Sequence, residues 1–320
     1  MALPLLYKRI DTTHAQAQRD GTGSEDLSST VQIPHNEWVE RYTKSLTIGY
    51  PPDSLYPSLG FGLGSSIGLP NLKTLQIQLP PRGDNLQPLH PSHVSHYPPN
   101  VPPVPSISLL REQLRPKTLV IRNVSTRLIN LHLPSIPIEV YENVESLMLI
   151  SSSYEKYQPA TLPLDLPIIP KLKKVYWFFD PTFPERREVA IHKEWYKVNV
   201  WGITQLILAL QPSVRVSIVN VGSTILKDPN HRCMSVENRQ REIERQLWDE
   251  VRMKSGEEPY SWNLDDLEER MGTVRFFGLE VFVGDEEWWD WFDVGEMRNW
   301  NTAMGNFLNR KVEENRRVAR

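Results

Sequence analysis

Gly68-Leu69-Pro70-Asn71-Leu72-Lys73-Thr74-Leu75-Gln76-Ile77-Gln78-Leu79 is the stretch that decides the fold. Its core reads Leu, two residues, Leu, one residue, Ile. Leu75, Ile77 and Leu79 alternate with polar residues, so they share one side of an extended chain. Looser copies recur at Val144-Glu145-Ser146-Leu147-Met148-Leu149 and Leu172-Lys173-Lys174-Val175-Tyr176-Trp177. Lys117-Thr118-Leu119-Val120-Ile121, Ser45-Leu46-Thr47-Ile48, Val216-Ser217-Ile218 and Met271-Gly272-Thr273-Val274-Arg275-Phe276 complete the series. One short strand repeated with variable matter between copies points to stacked units rather than a closed catalytic domain.

Leu119, Leu147 and Val175 stand 28 residues apart, within the range of leucine-rich repeats. Elsewhere the spacing is irregular, which long insertions explain. Strands are expected at 45–48, 72–79, 117–122, 145–150, 172–178, 214–220 and 273–283. The segment Leu5 to Ile10 reads as too short to close a stack well.

Helical patterns fall between the strands. Trp38, Val39 and Tyr42 share one face of a short helix. Ile107, Leu110 and Leu114 suggest another, and Ile136 to Val144 repeats that arrangement. Ile203, Leu206, Ile207 and Leu210 sit at i, i+3, i+4 and i+7. Ser235 opens a charged helix to about Lys254 with the apolar stripe Val236, Ile243, Leu247 and Val251. Its Arg239, Arg241, Arg245 and Arg252, interleaved with glutamates, read as a solvated mixed-charge face. Asn263 caps a shorter helix with Leu264, Leu267 and Met271 inward and Gly272 as its stop. Glu286 to about Asn315 is a tryptophan-rich helical stretch, with Trp288, Trp291, Trp300, Phe307 and Leu308 suited to closing the end of a stack.

The fold expected is therefore α/β: an irregular leucine-rich-repeat-like solenoid of parallel strands with helical crossovers and a C-terminal helical cap. The repeat domain covers 1–284 and the cap 285–320. Within it, 80–105 runs from Pro80-Pro81 to Pro102-Pro103-Val104-Pro105 and reads as an exposed Pro-rich insertion, because proline fixes φ and removes a donor.

Bulk properties narrow the function. A formal net charge of −3 over 320 residues argues against a nucleic-acid binder. The single cysteine, Cys233, forbids an internal disulfide and points to a reducing compartment, cytoplasmic or nuclear. At the start, Met1-Ala2-Leu3-Pro4-Leu5-Leu6-Tyr7-Lys8 lacks the order of a signal peptide. No window approaches the ~18 unbroken apolar residues of a membrane span, and Asn123-Val124-Ser125 reads as a chance acceptor match.

Motifs with chemical meaning are weak. Gly64-Ser65-Ser66-Ile67-Gly68 matches a nucleophile elbow with Ser66 as the nucleophile, the basis of an alternative reading as an α/β hydrolase-type esterase; a purely structural repeat protein is the other alternative. That elbow needs a strand before and a helix after; here a glycine-rich loop precedes and a strand follows. Gly60-Phe61-Gly62-Leu63-Gly64 lacks the last glycine of a dinucleotide fingerprint. His90, His93 and His96 are spaced three apart but lie in the Pro-rich insertion, with no cysteine near. Trp288, Trp289 and Trp291 lie within Glu286-Glu287-Trp288-Trp289-Asp290-Trp291-Phe292-Asp293. They are candidate partner-binding residues together with His90, His93 and His96. No catalytic residue, metal ligand or cofactor is expected.

Leu5-Leu6-Tyr7-Lys8-Arg9-Ile10 is similar to the Leu-Tyr-basic segment that follows an F-box. Tyr42-Thr43-Lys44-Ser45-Leu46-Thr47-Ile48 and the Leu-Lys-x-Leu-x-Ile strands strengthen the likeness. The chain resembles the leucine-rich-repeat-like, post-F-box region of fungal F-box-family proteins, loosely over 1–283. No F-box segment precedes Leu5 in this sequence. The resemblance implies a non-catalytic protein–protein interaction domain that captures substrates for ubiquitination. Docking to the adaptor subunit of a cullin-type ubiquitin ligase would require an F-box upstream.

Overall fold

The computed structural model describes residues 9–11, 42–49, 69–78, 114–122, 124, 136, 138–152, 168–181, 195–223, 235–256, 262–285, 291–292 and 295–305. The chain divides into two compact units. The first comprises Met1–Asn123, Leu131–Glu145 and Pro167–Lys171. The second comprises Val124–Asn130, Ser146–Leu166 and Leu172–Arg320.

Four strands build the first unit's ladder: β1 Arg9–Asp11, β2 Ser45–Gly49, β3 Thr74–Gln78 and β4 Thr118–Arg122. They pair in chain order and all in parallel. The register is one for one, so Ser45, Thr74 and Thr118 stand on one rung and Leu46, Leu75 and Leu119 on the next. A one-residue slip would turn every leucine to the opposite face, so burial holds the register. Leu46, Leu75 and Leu119 are fully buried. The short helix α1, Ile138–Tyr141, buries Val140 and Tyr141.

The second unit repeats the plan with β5 Ser146–Ser152, β6 Lys174–Asp180, β7 Arg215–Val219 and β8 Val274–Phe277. These also pair in chain order and in parallel. Leu147, Val175, Val216 and Val274 share a rung, as do Leu149, Trp177, Ile218 and Phe276. Parallel neighbours need crossovers. Helix α2, Trp195–Ala209, links β6 to β7 and packs against α3, Val236–Ser255. Helices α3 and α4, Leu264–Thr273, lie between β7 and β8. Ser235 caps α3, its hydroxyl accepting from the Asn238 amide at 3.2 Å. Asn263 and Asp266 close a reciprocal capping box on α4 at 2.8 and 3.2 Å, satisfying amides that the helix start leaves orphaned.

A turn recurs ahead of the strands. Leu72, Val144 and Val214 each donate their amide to the carbonyl three residues back, at 3.0–3.1 Å. Pro70 and Pro212 occupy the second turn position, where a fixed φ is favourable. The closing residues Leu72, Val144 and Val214 are buried. Each turn thus delivers the chain to its strand with an apolar anchor already in the core.

Several expectations need correction. The strand expected over 273–283 ends at Phe277, and helix α5, Leu279–Asp285, follows. Leu279 and Phe282 are buried while Val281 is half exposed, a spacing of three that suits a helix. Helix α4 does not turn Leu264 inward; that side chain is 69% exposed, and Arg270 is the residue fully buried beside Leu267. Gly272 does not stop it either, since the helix runs to Thr273 with Val274 extended behind it. Arg239 is not on a solvated face: it is buried on α3 with Ile243, Leu247 and Val251. One strand is not among those expected: Arg9–Asp11, three residues long, pairs with β2. The insertion 80–105 and the helices expected before Tyr42 and over 106–114 fall outside the described residues.

Candidate interaction surface

In the first unit the strand-entry edge is knitted by backbone. The Lys44 carbonyl accepts from the amides of Lys73 and Thr74 at 2.8 and 3.0 Å. The Lys73 carbonyl accepts from Lys117 and Thr118, both at 2.9 Å, and the Lys117 carbonyl from Glu145 at 2.8 Å. Four residues at one strand position, Lys44, Lys73, Lys117 and Glu145, therefore stand in a row across successive strands. Lys44, Lys73 and Lys117 are exposed. Lys117 approaches Glu145 at 4.0 Å, the outer limit of an ion pair. No acidic side chain pairs with Lys44 or Lys73 among the described residues.

The strand faces are less open than a bare repeat surface. Thr47, Gln76 and Val120 point opposite to the leucines beside them, yet are 5% exposed or less. Both faces of the ladder are closed at these positions, as in parallel sheets covered on both sides. Recognition through the strand faces is thus not available at these positions; the exposed side chains lie along the entry edge.

In the second unit β6 is the aromatic centre. Tyr176 and Phe178 point one way, Trp177 and Phe179 the other, and all four are buried. Phe178 meets Phe282 edge-on at 4.7 Å and Phe292 at 5.0 Å. Trp300 lies 5.2 Å from Phe292. On the other face Trp177 donates its indole N–H to the Ser151 hydroxyl at 2.8 Å. Among the candidate partner-binding residues, Trp291 is half-buried, 5.2 Å from Tyr176 and 6.3 Å from Phe282. Its ring is committed to this cluster. Trp288, Trp289, His90, His93, His96 and Ser66 lie outside the described residues.

Two buried cations were not signalled by the sequence pattern. Arg270 donates to the carbonyls of Val214 at 2.6 Å, Leu210 at 2.7 Å and Gln211 at 2.5 Å. These carbonyls lie just beyond the C-terminus of α2, where a cation offsets the partial negative charge of the helix end. Burial pulls Arg270 and Arg239 each down to about 10, which leaves both protonated at neutral pH. A lone arginine after an amphipathic stretch is the only sequence signal for such a cap, and it reads equally well as surface.

Among the described residues no group of three or more His, Cys, Asp or Glu is placed to hold a metal ion. No described helix is long and apolar enough to cross a membrane. Comparisons with protein-family models, with curated proteins and with solved structures found no match for this chain.

Proposed function

We propose that this chain is a non-catalytic protein-recognition module, an irregular leucine-rich-repeat-like solenoid with 1–284 as its stack and 285–320 as a helical cap. Its role is the substrate-recognition part of an F-box-type ubiquitin-ligase receptor, acting in the cytoplasm or nucleus. The observation that carries the reading is the repeated unit itself. A turn closed by a buried Leu or Val leads into a short strand, and each strand pairs in parallel with the next in chain order. Such arrays offer extended surfaces to partners. The ring packing of Phe282, Phe292 and Trp300 around Phe178 supports the C-terminal stretch as a cover for apolar strand residues.

The test is quantitative affinity purification of the tagged full-length gene product from its own cells with proteasome blocked. Stoichiometric recovery of the cullin-ligase adaptor with a further protein that accumulates is the expected result. Partners recovered reproducibly without any ligase subunit would remove the ubiquitin role. Hydrolysis of ester probes by the purified chain would overturn the non-catalytic reading.

A further inference from the structure

We propose that the strand-entry row Lys44, Lys73, Lys117 and Glu145 docks a partner α-helix that presents three carboxylates followed by one cation along a single face. The inference rests on the protein-recognition reading and names the partner's chemistry for one edge of the first unit.

Spacing decides between partner shapes. Backbone hydrogen bonds lock each of the four residues to the next, so the row advances by the inter-strand distance of ~4.8 Å. Four members span about 14 Å. A helix advances ~1.5 Å per residue, so positions i, i+3, i+7 and i+10 fall at about 0, 4.5, 10.5 and 15 Å. Each lies within about 1 Å of a member of the row. An extended peptide advances ~6.8 Å between same-face residues and would cover ~20 Å over four of them. It would be out of step by the third contact. The helix therefore fits and the strand does not.

Charge sets the sign and the direction. Three lysines in succession leave a local positive field on a chain whose net charge is −3. Lys44 and Lys73 have no acidic partner among the described residues. Within the first unit the last member of the row, Glu145, carries the opposite sign, so a helix docked backwards would set its cation against Lys44 and a carboxylate against Glu145. Like charges placed together select against that orientation. The backbone needs no rearrangement to present the row, since the ladder fixes it in advance.

The test uses the full-length chain and fluorescein-labelled helical peptides, read by fluorescence anisotropy at low ionic strength. One probe carries Glu at i, i+3 and i+7 and Lys at i+10; a second has all four charges reversed; a third scrambles the first. The wild-type chain is expected to prefer the first probe and to lose it at high salt, where screening lengths contract to a few ångströms. The triple variant Lys44→Glu, Lys73→Glu, Lys117→Glu is expected to bind the first probe about tenfold more weakly, the sum of three exposed ion pairs. It should in turn gain the reversed probe. An unchanged melting temperature confirms that the variant folds. Equal binding of first and scrambled probes, or no gain of the reversed probe by the variant, overturns the proposal. Tighter lysine-dependent binding of a DNA oligonucleotide or of phosphatidylserine vesicles also overturns it. If ligase subunits still co-purify in that case, the recognition reading survives on another surface.

Discussion

Arg270→Met removes a buried guanidinium while keeping a stem of comparable length in the packing. In the native chain that guanidinium donates to three carbonyls at 2.5–2.7 Å and lies 6.0 Å from the Trp262 ring. Hydrogen bonds from a charged donor contribute about 1.5–3 kcal/mol each, so three amount to roughly 4.5–9 kcal/mol. Burying the charge works against this. Its fall from 12.5 to about 10 corresponds to ~3–4 kcal/mol at ~1.4 kcal/mol per pH unit. Methionine escapes that cost but leaves the Val214 and Leu210 carbonyls buried and unpaired. The net loss expected is about 2–4 kcal/mol, or ~5–12 °C in melting temperature for a unit of this size. Arg270→Lys keeps the charge and reaches fewer carbonyls, so it should lose about half as much. Chemical unfolding in urea, followed by tryptophan fluorescence and by far-UV circular dichroism, measures both variants. If Arg270→Met were as stable as the native chain, the helix-end capping role assigned to Arg270 would be wrong.

Three further outcomes follow from particular contacts. Gly222→Ala places a Cβ 2.3 Å from the Val236 carbonyl oxygen, closer than any real contact, so the start of α3 must move; a loss of about 2 kcal/mol is expected by urea titration. Phe178→Ala empties the centre of the Phe282, Phe292 and Trp300 cluster and should cost about 3–5 kcal/mol, with a red shift in tryptophan emission. The Ser235 hydroxyl and the α3 backbone hold the Glu237 carboxyl below its ordinary 4.5. A lowered carboxylate stabilises above the unfolded value and loses that contribution as pH falls through the folded one. Glu237→Gln should therefore melt slightly earlier than the native chain at pH 7, by a few tenths of a kcal/mol, and the two curves should converge as pH falls through the lowered folded-state value.

Seven of the eight described strands were legible because each is a short apolar segment, alternating in β2 and β3 and continuous in β4, β5 and β6, and because Leu or Val stands at the same position throughout. The overrun at 273–283 has a physical origin. Phe276, Phe277, Val281, Phe282 and Val283 are apolar enough to continue a strand, and only Gly278 marks the break before α5. β1 was hidden by its length, since three residues carry too little periodicity. Arg239 and Arg270 could not be read as buried, because their local surroundings are carboxylates and polar residues. What draws Arg270 in is a set of carbonyls about sixty residues back along the chain. The lysine row was visible as letters, Lys44, Lys73 and Lys117 each standing one residue before a strand. Its meaning needed the pairing order, which turns separate residues into neighbours.

The order and register of the strands create both the buried rungs and the lysine row, and paired cysteines read them directly. In a Cys233→Ser background, Lys73→Cys with Lys117→Cys joins residues that the backbone bonds make neighbours, with Cα atoms about 5 Å apart, inside disulfide reach. Lys44→Cys with Lys117→Cys spans two strands, about 10 Å, beyond it. Mild oxidation should close the first pair quantitatively and leave the second as free thiols. Closure of the second pair but not the first would show that β2, β3 and β4 do not lie side by side in chain order.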